Sequence, residues 1–291
     1  MVTEQKDNWS SEAYQKAAAF VPKLATKVVQ WLDVQKDDVI LDVGCGDGVL
    51  NVEMAKIFAN GTGRVHGIDS SPAMIEAAKV AAKAAGVEQK ATFEVINALS
   101  LPNQGHLQTG TFTKAFSNAA LHWILRPPPD AAGTVAAVFT GVRNALAPGG
   151  IFVFEMGGLG NIAEIKAALL SSIARRVPGG VRQASEADPW FFPDEEWVRE
   201  TLETKLGGWK VERVEREWRP TVAEGKTGDG KGGVEGWVRL MGRKWLEVVE
   251  DEKEREEVVK EVVEVLEEVC KLPRGGWMLG YVRLRAVARK I

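Results

Sequence analysis

The chain has 291 residues, 45% hydrophobic and 26% charged, with 37 basic and 40 acidic side chains and a formal net charge of −3. This is ordinary globular composition, which excludes a disordered, collagen-like or coiled-coil chain, and its slight acidity argues against a general nucleic-acid binder. Two cysteines exclude a disulfide framework and a four-cysteine zinc site, and ten Trp against two Tyr is the one oddity.

The opening segment, MVTEQKDNWSSEAYQK, is polar and does not read as a secretory signal. No stretch approaches the roughly 18 apolar residues of a membrane span. Sparse cysteines fit a reducing compartment, so a cytoplasmic location is expected, with the nucleus open. From 38 to 156 the chain alternates strand-like and helix-like blocks. VILDV (39–43) reads as a buried strand, NVEMAKIFA (51–59) as a helix and RVHGID (64–69) as a second strand. Ser71-Pro72 opens an Ala-rich helix to about 85, with Pro in its first turn. ATFEVI (91–96) and TFTKAFS (111–117) follow as strands, 131–147 as a helix closed by Pro148-Gly149-Gly150, and IFVFEM (151–156) as a fifth strand. Strands alternating with helices imply right-handed βαβ units and a parallel sheet covered on both faces.

After 156 the spacing predicts helices over 159–175 and 194–206, separated by a Pro-, Gly- and aromatic-rich stretch at 178–193. WKVERVEREW (209–218) alternates as a strand, AEGKTGDGKGG (223–233) reads as a flexible loop, and 234–270 as a long helical region broken near Gly242. Its second half, EDEKEREEVVKEVVEVLEEV, is read as an amphipathic helix docked by its apolar face, the alternative being an acidic partner surface. WMLGYVRLRAVARK (277–290) alternates as one last strand, and no repeat or second core is evident.

The strongest local signal is LDVGCGDG, Leu41 to Gly48. A buried strand runs into a glycine turn and then a helix, where a ligand can approach the backbone closely. A dinucleotide would want G-x-G-x-x-G, but here the third glycine falls one position early and Val49 occupies the dinucleotide position. Asp42, two residues before the first glycine, would repel a pyrophosphate and could attract an ammonium group through ordered water. Asp69, ending the second strand, can accept hydrogen bonds from both hydroxyls of a ribose. A cofactor with a ribose, an amino-acid ammonium and no phosphate satisfies both.

With these residues in view, the chain resembles the class I S-adenosylmethionine-dependent methyltransferases. The resemblance rests on D-x-G-x-G-x-G at 42–48, on Asp69, and on the Pro148-Gly149-Gly150 turn. It runs over roughly 9–156 and more loosely to the C-terminus. It implies an α/β, Rossmann-like, doubly wound seven-stranded sheet, mostly parallel with the last strand antiparallel, carrying a helical lid and a helical insertion before the last strand. A single domain over 1–291 is expected, with N-terminal cover helices (1–36), a cofactor-binding core (37–156), a substrate lid (157–208) and C-terminal strands (209–291) with the helical insertion at 234–270. The implied cofactor is S-adenosyl-L-methionine, held by Asp42, Gly44, Cys45, Gly46, Asp69, Ser70, Met74, Asn97, Ala98 and Asn118. Asn97 stands where the family often places an acid for the adenine amino group, and its amide can still hydrogen-bond the adenine edge. For Met74, helix packing is the competing reading.

SNAALHWI (117–124) follows the fourth strand and lacks the Asn/Asp-Pro-Pro-aromatic pattern of methyltransferases that act on base amino groups. Asn118, His122 and Trp123 instead resemble the trans-aconitate methyltransferases and related small-molecule carboxyl-methylating enzymes. Trp9 and Tyr14 are similar to the segment that covers the active site in that group, and EGWVRL (235–240) with YVRLRAVARK (281–290) looks like a fungal version of it. The resemblance implies catalytic roles for His122, Trp123 and Tyr14, and substrate contacts from Trp9, Arg175, Arg182 and Trp190. Core packing is the competing reading for His122, Trp123 and Tyr14, and solvent exposure for the arginines. His66 and His106 have no partner motif, and three scattered His without a Cys cluster make no metal site.

A sulfonium methyl is already activated, so the protein must orient the nucleophile and exclude water. A carboxylate is ionised at neutral pH and needs a cationic clamp rather than a base. Arg175, Arg176 and Arg182, beside Trp190, Phe191, Phe192 and Trp197, suit that task. A phenol or alcohol would want a base, for which His122 is the candidate. The leading expectation is O-methylation of a small-molecule carboxylate of the trans-aconitate type. The alternatives are methylation of a phenol, amine or carbon of a secondary metabolite, and a non-catalytic S-adenosylmethionine-binding module. Partners are expected to be a small-molecule substrate, with no nucleic acid and no membrane, in a monomer or homodimer.

Overall fold

The structure is a computed structural model that describes residues 26–126, 132–223 and 232–291. Strands β1 (Val39–Val43), β2 (Arg64–Asp69), β3 (Ala91–Val95), β4 (Phe112–Asn118) and β5 (Leu146–Gly157) alternate with helices. These helices are α1 (Thr26–Leu32), α2 (Val49–Ile57), α3 (Pro72–Ala84), the one-turn α4 (Leu121–Ile124) and α5 (Ala132–Ala145). The α3 helix starts where its sequence dictates: Pro72 occupies the first turn and the Met74 N–H donates to Ser71 Oγ at 3.2 Å.

With β6 (Trp209–Trp218) and β9 (Val282–Lys290), these strands form a seven-stranded sheet in the order β3-β2-β1-β4-β5-β9-β6. Neighbours from β3 to β5 are parallel, and β9 lies antiparallel between β5 and β6. This is the doubly wound, Rossmann-like sheet with one antiparallel strand that the motifs led us to expect. Strand order reverses between β1 and β4, so a crevice opens beyond the carboxyl ends of those two strands. The Ser117 hydroxyl locks them there, donating to the Val43 carbonyl at 2.7 Å.

The sheet is buried on both faces, which is why its strands are near-continuous apolar runs. One face packs Phe139, Phe152, Phe154, Leu202 and Trp209, and the other packs Leu32, Ile40, Phe58, Ile75, Phe116 and Val153. A further apolar cluster lies outside the sheet. It is built by α6 (Ala163–Ala174), α7 (Gly180–Glu186), α9 (Gly233–Met241), α10 (Arg243–Leu246) and α11 (Glu252–Cys270), around Trp190, Trp237 and Trp245. Its longest element is α11, opened by Asp251, whose Oδ1 accepts from the Glu254 N–H at 2.9 Å. The helix turns Val258, Val259, Val262, Leu266 and Cys270 inward against α6. Each such burial is worth about 1.5–3 kcal/mol, which holds an otherwise strongly acidic helix in place.

Several boundaries differ from the sequence reading. The helix expected at 51–59 starts two residues earlier, at Val49. Pro148-Gly149-Gly150 lies within the irregular first part of β5 rather than before it, because the β4–β5 register shifts between Phe112 and Lys114. The 178–193 stretch contains α7, and 194–206 is α8 (Glu195–Arg199) continued by a π-helical segment over Glu200–Leu206.

The single strand expected at 277–290 is two: β8 (Trp277–Leu279), which pairs with β7 (Thr221–Ala223), and β9. The break has a local cause. The Gly280 N–H donates to Glu164 at 2.6 Å, its carbonyl accepts from Ile162, and the Val282 N–H donates to Asn161. Residues 161–164, at the start of the helix Ala163–Ala174, thus take the backbone groups that a continuing strand would have offered to a neighbour. Most of the expected 223–233 loop lies outside the described residues. No helix among the described residues is long and apolar enough to cross a membrane.

Candidate active site

The crevice at the carboxyl ends of β1, β2, β3 and β4 is lined by Asp42, Gly44, Cys45, Gly46, Asp69, Ser70, Met74, Asn97, Ala98 and Asn118. These are all ten residues expected around a cofactor, brought together from four strand ends. The glycine turn is built by backbone chemistry. The Gly44 and Cys45 N–H groups both donate to the Ile68 carbonyl, at 2.8 and 3.0 Å. The Gly46 N–H donates to Asp69 Oδ2 at 3.1 Å, and Asp69 Oδ1 accepts from Ser71 at 2.9 Å. Asp69 therefore fixes the loop as well as facing the crevice. Gly44 has φ +78° and an added Cβ would lie 2.2 Å from that of Ala120, so only glycine fits.

Electrostatically the crevice is one-sided. Among the described residues lining it, Asp42, Asp47 and Asp69 are acids and none is basic. Burial pushes the Asp42 carboxyl up to about 8, with the Asn51 amide opposing and Asp69 adding to the rise. Its Oδ1 is buried and has no hydrogen-bond partner. Burial likewise raises the Cys45 thiol well above its ordinary range, keeping it protonated. Asn97 caps the following turn, its Oδ1 accepting from Leu99 at 3.0 Å, which leaves its NH₂ as the free edge.

The residues expected on the substrate side separate into four groups. Trp123 lines the crevice, and Trp190 sits one layer behind it, 5.7 Å away ring to ring, stacked on Phe192 and edge-on to Trp245. His122 does not line the crevice. Its ring is buried between Trp123 and Phe192, and its Nδ1 accepts a long bond from the Gly157 N–H at 3.4 Å. Burial, with the charge of Arg283 nearby, holds it neutral well below the ordinary imidazole range.

Arg175 and Arg182 correct the expected clamp. Arg175 pairs with Glu261 of α11 at 2.6 Å, and Arg182, 89% exposed, pairs with Glu186 one helical turn away. Arg176 is held by Glu254 and Glu261. The acidic helix α11 draws Arg175 and Arg176 to itself, and neither lines the crevice. Trp9 and Tyr14 lie outside the described residues.

A methyltransferase-domain family model matches residues 34–191. An uncharacterized methyltransferase of Schizosaccharomyces pombe is 34% identical over 287 residues, covering 98% of this chain and 99% of the relative. The chain belongs to the class I S-adenosylmethionine-dependent methyltransferases. A probable methyltransferase of Aspergillus luteorubrus is 29% identical over 170 residues, 55% of each chain. In fold, the chain is similar to a putative methyltransferase of Bacillus halodurans, with a TM-score of 0.54 at 13% identity over 92% of this chain and 99% of that one.

The crevice of this methyltransferase fits its cofactor, S-adenosylmethionine. An acid-lined, base-free cleft repels a pyrophosphate and suits a cation. The unpartnered Asp42 oxygen is an acceptor awaiting a donor, and at Gly46 a Cβ would meet nothing within 4 Å, so the loop is open to a ligand.

Sequence reasoning missed Asp47, Leu50, Ile96, Ala119, Ala120 and Ile124, all of which line the crevice. Ala119–Ile124 follow directly from the rule that ligands bind beyond strand ends at the switch point. No pattern in the sequence marks Ala119 as a non-glycine residue at φ 56°. Its N–H donates to the Glu155 carbonyl at 2.8 Å, so β5 holds this strained corner of the crevice in place.

Proposed function

We propose that the protein methylates an oxygen of a small-molecule carboxylate, an acid of the trans-aconitate type. One observation carries this reading: among the described residues, the crevice lining holds no histidine, lysine or tyrosine to serve as a general base, and Asp42 and Asp69 are assigned to the cofactor. Among the described residues lining the crevice, the titratable groups are Asp42, Cys45, Asp47 and Asp69. The one histidine nearby, His122, is withdrawn from the lining, neutral, and engaged at Nδ1 as an acceptor, which puts its proton on Nε2. A phenol or alcohol would need a proton acceptor in the transition state, whereas a carboxylate arrives already ionised.

In this reading Asp69 receives the ribose hydroxyls, the Asn97–Ala98 corner receives the adenine, and Asp42 receives the ammonium through water. Bound S-adenosylmethionine supplies an activated methyl group. Gly44 and Gly46 let the backbone approach, and Met74 and Ile96 bury the flat apolar surfaces of the adenosine. Trp123 and Ile124, backed by Trp190, exclude water from the acceptor side. Orientation and water exclusion of this kind supply up to about 7–11 kcal/mol in favourable intramolecular models.

The test is turnover on a panel of aliphatic acids and phenols of similar size, with products identified by mass and by base-labile ester chemistry. Methyl esters of acids are expected. Transfer to phenols alone would overturn the proposal.

A further inference from the structure

Trp123 and Ile124 reach the crevice from α4, a single turn of four residues. A helix that short does not hold its own shape, so groups outside it must set where those two side chains stand. Its entry is fixed at Ala119, whose N–H donates to the Glu155 carbonyl at 2.8 Å. The turn itself is held through His122, by two groups of that residue at once. The β4–β5 ladder ends on the pair Asn118 and Glu155, but β5 runs two residues further, to Gly157. Ala119, at φ 56°, turns the chain out of the ladder, and the Gly157 N–H donates to His122 Nδ1, 3.4 Å away. The imidazole thus stands where a further strand carbonyl would have accepted. The His122 carbonyl accepts in turn from the Phe191 N–H at 2.9 Å, which anchors the aromatic stretch 190–192.

That stretch is packed as closely as it is bonded. A Cβ on Gly157 would lie 2.4 Å from the Phe192 ring, whose centroid is 5.8 Å from that of His122. Trp190 lies edge-on to Trp123 at 5.7 Å. His122 is buried, and burial together with the charge of Arg283 keeps its ring neutral, so Nδ1 retains the lone pair that accepts. Without that acceptor the buried Gly157 N–H would lose its partner, a costly state that α4 could relieve only by moving.

We propose that His122 is a positioning residue of the cofactor crevice: by joining the end of β5 to the 190–192 stretch, it sets Trp123 and Ile124 in place as the crevice wall. It acts through an acceptor at the Nδ1 position, not as an acid or base, and it does so whatever the methyl acceptor is.

The side-chain oxygen of Asn falls near the place of Nδ1, whereas that of Gln falls near the place of Nε2, and the test uses this difference. The full-length protein and its variants are titrated calorimetrically with S-adenosylhomocysteine. His122→Asn is expected to bind within about threefold of wild type, and His122→Gln and His122→Leu about tenfold more weakly. Trp123→Ala is also expected to lose about tenfold. Adding His122→Leu to Trp123→Ala should cost less than about twofold more, because the side chain that His122 places is already gone. A histidine that merely fills space would treat Asn and Gln alike and would give losses that add.

Equal affinity of the Asn and Gln variants overturns the proposal. An additive double variant overturns it too, as does Trp123→Ala with wild-type affinity. Should His122→Leu fail to fold, the Asn and Gln comparison decides alone. Methyl transfer lost in every His122 variant, with S-adenosylhomocysteine affinity untouched in all of them, would make His122 a catalytic base and overturn the positioning role.

Discussion

Replacing Asp42 by Asn should make the cofactor-free protein more stable while making it a poorer binder of cofactor. The carboxyl is 2% exposed, and burial lifts it from an ordinary 3.8 to about 8. A folded-state value above the unfolded one means that the folded state is favoured in acid. That advantage is complete below about pH 3.8 and is lost progressively as pH rises toward 8. At pH 7 the loss spans about three pH units at 1.36 kcal/mol each, or about 4 kcal/mol. Asn is isosteric with the protonated acid and does not titrate, so Asp42→Asn should recover most of that sum. It should also flatten the dependence of stability on pH between about 4 and 8.

Urea denaturation of both proteins across that range, without cofactor, reads the effect directly as a shift in midpoint. Calorimetry with S-adenosylhomocysteine reads the opposite sign. The variant loses about tenfold or more in affinity, because a charge-assisted interaction with the ammonium is gone. It also loses the proton that wild type should release on binding near pH 7. A cofactor-free Asp42→Asn no more stable than wild type would refute the desolvation argument, and unchanged affinity would refute its assignment to the ammonium.

Four shorter predictions follow from the same geometry. Gly44→Ala should cost about 1–3 kcal/mol, since its methyl would meet Ala120 at 2.2 Å on a backbone at φ +78°; a thermal melt checks this, and an unchanged midpoint speaks against the close approach. His122→Asn should keep turnover within about tenfold and leave the pH–rate profile between 6 and 8 the same as wild type's, because burial and Arg283 hold His122 neutral there. A loss of about 10²–10⁴-fold would instead make His122 the base. Trp190→Ala should destabilise by about 3–5 kcal/mol in denaturant unfolding, since Trp190 contacts Trp123, Phe192, Trp237 and Trp245 at once. Arg182→Ala should leave KM for any acid acceptor unchanged, because that side chain faces solvent and pairs only with Glu186 among the described residues; a raised KM would return it to the acceptor site.

The cofactor crevice was legible because it is encoded locally. Its chemistry sits within a few residues of the carboxyl ends of β1 to β4, and a strand–glycine turn–helix pattern sets both backbone shape and charge within eight residues, Leu41 to Gly48. The same locality made the strands readable, since a doubly buried strand is a short apolar run whatever surrounds it. Arg175 and Arg283 show where locality fails. Both are arginines near aromatic or apolar residues in a C-terminal half with weak patterning. Arg175 finds its carboxylate 86 residues away on α11, and Arg283 finds its own 128 residues away on β5. His122 likewise reads as a base in its own segment, and only the packing of Phe192 and the Gly157 N–H withdraws it. The break of the last strand at Gly280 depends on Glu164 and Asn161, more than 100 residues upstream.

Sequence by itself determined the sheet, the glycine turn and the acids that suit a cationic cofactor, because those depend on neighbours along the chain. Which acid each arginine pairs with, which histidine is silenced and which strand is cut were decided by tertiary structure, because charge pairing and desolvation depend on what is close in space.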